Sequence, residues 1–147
     1  MVEVKKVIIP VDFTSAMNKV VDYATSIADQ LGAEIIFFHV VNDFQGYDMM
    51  LVHPSFETMR KDLEQKSNER IANLVEDYKG VKKGVSGKVV SGDAGDEIVK
   101  LAKEEQADMI IIGTHGTKGL ERILMGSTAE YVVKKASTPI LTFNPFK

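Results

Sequence analysis

Two glycine-containing turns lie close together in the last third of the chain. Gly113–Gly116 reads Gly-Thr-His-Gly directly after an apolar run, and Gly126–Thr128 reads Gly-Ser-Thr after a further nine residues. Glycine permits positive φ and lets a ligand or another part of the backbone approach closely. Ser127 and Glu130 have the spacing of a capping box, which predicts that Ser127 begins a helix. A helix start presents unpaired N–H groups that suit phosphate, so the two turns together predict an anion cradle.

Both turns also have a purely structural interpretation. Gly113 can be a simple turn at the end of a strand, and capping boxes occur at many helices that bind nothing. Lys118 and Arg122 lie between the turns and could add positive charge. The chain has no glycine-lysine-serine/threonine segment that would form a P-loop, and no G-x-G-x-x-G follows the first predicted strand.

A carboxylate follows the first apolar run, at Pro10-Val11-Asp12. Asp12 can accept hydrogen bonds from a hydroxyl or an amine but would repel phosphate, so it suits a part of a ligand away from any phosphate. The alternative is that Asp12 caps a helix beside Thr14.

The three histidines do not have the spacing of a metal site such as H-E-x-x-H. His115 falls within the glycine turn and is a candidate for phosphate contact, whereas His39 is interpreted as a strand residue with satisfied hydrogen bonds. No catalytic residue and no metal ligand is predicted.

The composition is that of a single globular domain covering residues 1–147. Apolar residues make up 44% and charged residues 27%, and the formal net charge is -3. The scattered basic residues argue against nucleic acid as the main partner. No apolar run approaches the roughly 20 residues that span a bilayer. The chain contains no cysteine and shows no signal-peptide pattern, so the cytoplasm is the expected location.

Short apolar runs alternate with helical patterns along the whole chain. Five strands are predicted, and a long loop with the apolar stretch Met49–Val52 follows the second. Thr14 and Ser15 are candidates to cap the first helix, and Gly92-Asp93 to start the third. This alternation predicts an α/β fold with a mainly parallel sheet. Ligands of such sheets bind at the carboxyl ends of the strands, where the strand order reverses.

Several segments together carry a resemblance to the ATP-binding branch of the universal stress protein family. Gly113-x-x-Gly116, nine residues, then Gly126-Ser127 resembles its nucleotide-binding signature. The other resembling segments are Ile8–Thr14, Gly92–Ile98, Asp108–Gly113 and Ser137–Leu141. They cover nearly the whole chain in order.

The resemblance implies an open five-stranded, Rossmann-like sheet in the order 3-2-1-4-5 with helices on both faces. It implies that Asp12 contacts adenosine, that Val41 lines the adenine pocket, and that the glycine turns hold the phosphates. The residues expected to bind the nucleotide are Pro10, Val11, Asp12, Val41, Ile112, Gly113, His115, Gly116, Gly126, Ser127 and Thr128. The ligand is expected to be ATP, AMP or ADP. A magnesium ion could accompany the phosphates, although no carboxylate set for it stands out.

The resemblance also implies a homodimer through the C-terminal strand 139–144, whose apolar edge invites pairing. A cytoplasmic ATP-binding stress-response regulator is therefore the expected function. The alternatives are a slow ATP hydrolase, a phosphate or adenylyl transferase using the same pocket, and a nucleotide-free interaction module. The protein partner and the role of residues 42–54 stay open.

Overall fold

The structure is a computed structural model that describes residues 1–42, 54–115 and 125–146. Strands and helices alternate along these residues. The strands are β1 (Lys6–Pro10), β2 (Glu34–Asn42), β3 (Val85–Gly92), β4 (Met109–Gly113) and β5 (Ile140–Phe143). The helices are α1 (Met17–Leu31), α2 (Pro54–Asp77), α3 (Ala94–Glu104) and α4 (Ser127–Lys135). None of these four helices is long and apolar enough to cross a membrane.

The five strands form one sheet in the order β3-β2-β1-β4-β5, and every pair is parallel. The predicted order is therefore confirmed. The chain runs outward from β1 in both directions, so the order reverses between β1 and β4. Val7 pairs with Met109 and Ile8 with Ile110, which places the carboxyl ends of β1 and β4 side by side.

Side-chain alternation along the strands produces one core on each face of the sheet. One core joins Val7, Ile9 and Phe37 to α1 and to Ile71 of α2. The other joins Ile8 and Phe38 to α3 and α4. The helices thus cover both faces, as predicted.

The starts of α1 and α3 differ in how they are capped. Asp93 precedes α3, and its carboxylate accepts a hydrogen bond from the N–H of Asp96 at 3.0 Å, as predicted for a helix starting there. The prediction that Thr14 or Ser15 caps α1 is wrong. The N-cap is Ala16, which makes no side-chain hydrogen bond, and the Thr14 hydroxyl bonds to Asp12 instead.

Candidate functional site

The turn after β1 holds a carboxylate at the edge of the sheet. The N–H of Val11 donates to the carbonyl of Phe38 at 2.8 Å and so continues the pairing with β2. Asp12 then turns away and is exposed; its Oδ1 accepts from the N–H of Thr14 at 3.0 Å and from the Thr14 hydroxyl at 2.8 Å. These bonds form an Asx turn, in which the aspartate side chain accepts from the backbone two residues later. Asp12 does not cap a helix. Among the described residues nothing bonds to Oδ2, so that oxygen is available to a ligand.

Phe13, in the same turn, has a backbone conformation that is rare outside glycine, with φ at 59°. Such a conformation costs about 1–3 kcal/mol and persists only where the surroundings enforce it. The N–H of Phe13 lies 3.2 Å from the sulfur of Met17, and its ring centroid lies 4.6 Å from that of His39. The guanidinium of Arg70 lies 5.5 Å from the same centroid. Contacts from three elements thus fix the position of the turn that carries Asp12.

The ring of His39 is anchored to the end of β1. Its Nδ1 lies 2.7 Å from the carbonyl oxygen of Val11. Because a carbonyl oxygen can only accept, Nδ1 must carry the hydrogen, and the neutral ring then presents Nε2 as an acceptor. The hydrogen bond predicted for His39 within the fold is therefore formed at Nδ1, and at that nitrogen alone among the bonds of the described residues.

The end of β2 contributes Val40 to the site. Val41 is 5% exposed and does not line the cavity described below, whereas its neighbour Val40 does. Successive strand residues point to opposite faces, and Val40 packs with the core formed by α3 and α4. Val40 and Val41 are adjacent in the strand, so their side chains lie on opposite faces of the sheet. A role for Val41 in binding the adenine ring stays a prediction.

Gly113, at the end of β4, is needed for close packing. A Cβ on Gly113 would lie 2.8 Å from Cγ2 of Val20 in α1, which is closer than packed atoms come. Of the two uses of glycine considered for this position, positive φ does not apply, because the described glycines with positive φ are Gly32, Gly84 and Gly92. Its missing side chain instead lets α1 approach the strand end.

Thr114 connects three parts of the fold through its backbone. Its N–H donates to the carbonyl of Phe143 in β5 at 2.9 Å, and its carbonyl accepts from the N–H of Gly126 at 2.6 Å. A Cβ on Gly126 would lie 3.1 Å from that carbonyl oxygen, although Gly126 itself has an ordinary φ of -59°. Glycine therefore allows α4 to start directly beside the end of β4.

The start of α4 has no side-chain cap. Ser127 is the first helical residue, as predicted, but the N-cap is Gly126 and the capping box is not formed. Glu130 bonds Lys134 at 2.8 Å instead, and this hydrogen bond lowers the pKa of the Glu130 carboxyl. The first N–H groups of any α-helix lack intrahelical partners, so those of Ser127, Thr128 and Ala129 can donate to an anion.

His115 is 7% exposed and lies between β4 and the C-terminal residues. Its Nδ1 lies 2.6 Å from the hydroxyl oxygen of Thr114, and its ring meets Phe146 edge-on at 6.0 Å. Among the described residues its Nε2 is buried without a hydrogen-bond partner. The imidazole therefore has one polar atom that the described part of the protein does not satisfy.

These residues enclose a cavity of about 260 Å³ at the carboxyl edge of the sheet. The volume lies just below the roughly 300–1,000 Å³ of most small-molecule sites. The cavity crosses the sheet edge, with Met17 and Val20 of α1 on one side and Ile98 of α3 on the other. The predicted site residues that line it are Pro10, Val11, Asp12, Ile112, Gly113, His115, Gly126, Ser127 and Thr128.

Some lining residues were not among the predicted ones, chiefly Thr14, His39, Val40 and Thr114. The sequence could have indicated these residues by their position, since each is near the carboxyl end of β1, β2 or β4. Gly116, Lys118, Arg122 and residues 43–53, which include His53, lie outside the described residues.

Within residues 1–42, 54–115 and 125–146, no three histidine or acidic side chains come together to hold a metal ion. Asp12 is the only carboxylate on the described wall of the cavity. A metal ion at this site would therefore need most of its ligands from a bound anion or from water.

Comparison with known proteins decides the family. The model of the universal stress protein family matches residues 3–144. The chain belongs to this family. The match includes every strand of the sheet and the whole described wall of the cavity. The resemblance read from the separate motifs therefore holds for the domain as a whole.

Two universal stress proteins of Methanocaldococcus jannaschii are similar over most of their length. MJ0531 is 34% identical over 140 residues, which is 93% of this chain and 80% of that protein. MJ0577 is 31% identical over 150 residues, 93% of each chain. The solved structure of MJ0577 superposes with a TM-score of 0.84 at 28% identity and covers 97% of both chains.

A universal stress protein of Archaeoglobus fulgidus, solved in complex with dAMP, has the same fold. Its TM-score is 0.61 at 20% identity, over 94% of this chain and 96% of that one.

Proposed function

We propose that this universal stress protein binds an adenine nucleotide in the cavity between β1 and β4 and acts as a regulatory protein in the stress response. The observation that carries the proposal is the uncapped start of α4, which is bonded to the end of β4 and opens on the cavity. The Archaeoglobus fulgidus relative is a dAMP complex, so a protein of this fold holds an adenine nucleotide.

The charges of the cavity favour one orientation of the ligand. The phosphates belong at Gly126–Thr128, where N–H groups and the positive end of the helix dipole favour an anion. Asp12 lies at the opposite end and would repel phosphate, so it faces the ribose or the base. Pro10, Val11, Ile112 and Gly113 lie between these ends and would support the nucleoside.

The phosphate end is expected to be completed by residues outside the described part. Gly116 would extend the cradle, and Lys118 and Arg122 would add positive charge. ATP is the proposed ligand, with AMP and ADP as alternatives, because a cradle extended in this way suits a polyphosphate. A magnesium ion would be held mainly by phosphate oxygens and water.

We propose a regulatory role, in which the bound nucleotide alters shape or partner affinity. Hydrolysis needs a placed water and a base or orienting group near the leaving phosphate. Asp12 lies at the wrong end of the cavity, and His115 is the described imidazole nearest the start of α4. Slow hydrolysis or transfer by way of His115 is the alternative.

A nucleotide-free interaction module is a weaker alternative, since the cavity and the helix start are both formed. The cytoplasm remains the proposed location.

We also propose a homodimer through β5. Phe143 and Pro139 direct their carbonyls toward β4, so the N–H of Thr142 points away from the sheet. An edge of this kind pairs readily with a second strand. Light scattering should show a dimer for the wild type and a monomer for Thr142→Pro, which removes this outward donor. A wild type that is monomeric at micromolar concentration would contradict the proposal.

The test of nucleotide binding is calorimetric titration of the freshly purified protein, freed of any bound nucleotide, with ATP and magnesium. One site per chain is expected, with adenosine binding more weakly because it lacks the phosphates. Absence of saturable ATP binding would contradict the proposed function. A phosphate-release assay on the same sample distinguishes the regulator from the hydrolase.

A further inference from the structure

The two ends of the cavity differ in hydrogen-bonding character: hydrogen-bond acceptors lie at one end and hydrogen-bond donors at the other. The end formed by β1 and β2 carries the Asp12 carboxylate and the His39 imidazole, and the start of α4 supplies N–H groups at the other. In the sheet order, β2 is two strand spacings from β4, which is about 10 Å. A nucleotide whose phosphates lie on α4 therefore has its base beside β2.

The backbone fixes the hydrogen-bonding character of His39. Nδ1 donates to the Val11 carbonyl at 2.7 Å, so the neutral ring offers only the lone pair of Nε2 to a ligand. Among the described residues, the buried polar side-chain atom without a partner is Nε2 of His115, whereas His39 is half-buried and lines the cavity. The ring is also held against Phe13, and turning it over would lose the bond to Val11.

We propose that His39 is a specificity-determining residue that selects a 6-amino purine over a 6-oxo purine. This inference rests on the proposed function. The amino group of adenine would donate to Nε2, whereas the oxygen of a 6-oxo purine would place a second lone pair against it. A site built to accept from a donor discriminates strongly against an analogue that lacks the donor.

Asp12 cannot supply this selection. Its carboxylate lies in the turn beyond β1, at the same end of the cavity as His39, and suits a ribose hydroxyl. ATP and ITP carry the same ribose and the same phosphates. Asp12 and the start of α4 therefore treat the two nucleotides alike, and only the 6-position with the adjoining N1 distinguishes them.

The test compares the affinities of ATP, ITP and dATP for the wild type and two variants. We expect the wild type to bind ATP about tenfold more tightly than ITP, the effect of about one hydrogen bond and its mismatch. His39→Asn keeps an amide donor for the Val11 carbonyl but removes Nε2, and His39→Phe keeps the ring against Phe13. Both should bind ATP and ITP within about twofold of each other.

His115→Asn is the matched control, because it changes the other histidine of the cavity at the phosphate end. It should shift the affinities of ATP and ITP by the same factor and leave their ratio unchanged. Thermal unfolding of each variant, with retained ATP binding, verifies that the fold is intact.

Three results would overturn the inference. They are equal wild-type affinities for ATP and ITP, an unchanged ATP-to-ITP ratio in both His39 variants, and a change confined to the ATP-to-dATP ratio, which would assign His39 to the ribose. All three results are obtained with a protein that binds nucleotide, so they leave the proposed function intact. A wild type that binds none of the three nucleotides contradicts the proposed function and this inference with it.

Discussion

The main-chain N–H of Gly126 donates a hydrogen bond to the carbonyl oxygen of Thr114 at 2.6 Å. This bond attaches the start of α4 to the end of β4, although eleven residues separate Thr114 from Gly126. Thr114 is itself bonded to Phe143 of β5. The proposed anion site is therefore held by the sheet, and its position depends on the space that glycine leaves at Gly126.

Gly126→Ala should weaken ATP binding more than it weakens the fold. The new Cβ would lie 3.1 Å from the Thr114 carbonyl oxygen, so the helix start must shift by a few tenths of an ångström. We expect the affinity for ATP to fall about three- to tenfold, on the order of 1 kcal/mol, as charge-assisted hydrogen bonds to phosphate lengthen. Gly80→Ala is the control, since its Cβ would meet nothing within 4 Å. Equal ATP affinities in the two variants would contradict the role of Gly126.

Gly113→Ala should destabilise the protein because its Cβ would overlap Val20. Overpacking of this kind costs about 1–3 kcal/mol. Val20→Ala removes both γ-methyl groups that face Gly113, so the double variant should be more stable than the sum of the single changes predicts by about 1 kcal/mol. Urea unfolding of the four proteins measures this coupling. Strictly additive changes in unfolding free energy would show that the two positions do not compete for space.

Asp93→Ala and Ser127→Ala should differ in their effect on stability. Asp93 bonds the N–H of Asp96 and caps α3, so its loss should cost about 1 kcal/mol. Ser127 forms no capping box, and Ser127→Ala should change the unfolding free energy by less than about 0.5 kcal/mol. The same variant should bind ATP more weakly if its hydroxyl contacts phosphate. A loss of stability as large as that of Asp93→Ala would restore the capping role to Ser127.

The stability of the protein should decline at alkaline pH through Tyr78. Burial, together with a hydrogen bond to Asp22, raises the pKa of the Tyr78 phenol to about 12. An unfolded tyrosine titrates near 10, so between about pH 10 and 12 the unfolded chain releases a proton that the native state keeps. The unfolding free energy therefore falls as the pH rises through this window, and the contribution is fully present below it.

Tyr78→Phe should make that decline shallower when unfolding is followed from pH 8 to pH 12. Tyr23→Phe, which removes a hydroxyl from a ring stacked on Phe143, is the matched control and should retain the wild-type slope. Identical slopes for wild type and Tyr78→Phe would contradict the assignment.

The sequence predicts the sheet well because the strands of its centre are buried on both faces. Ile8, Ile9 and Ile110–Ile112 are continuous apolar runs, and a parallel sheet covered by helices on both faces buries every residue of such runs. The cavity follows from the same reasoning, because the carboxyl ends of neighbouring parallel strands meet at one edge.

What the sequence does not predict is set by tertiary contacts. Gly113 needs to be glycine because Val20 lies close to it, and Gly126 needs to be glycine because the Thr114 carbonyl lies close to it. Each of these neighbours comes from a different part of the sequence. Val40 lines the cavity and Val41 does not, and the sequence offers no signal that separates two adjacent valines at the end of a strand. The role of His39 depends on its bond to Val11, which is 28 residues away.

Binding of phosphate at the start of α4 can be followed by titrating ¹⁵N-labelled protein with ATP and monitoring the amide resonances of Ser127, Thr128 and Ala129. If phosphate lies on the start of α4, these three amides should shift together and saturate at the calorimetric affinity, and adenosine should not reproduce their shifts. Saturable ATP binding that leaves all three amides unmoved would contradict the account.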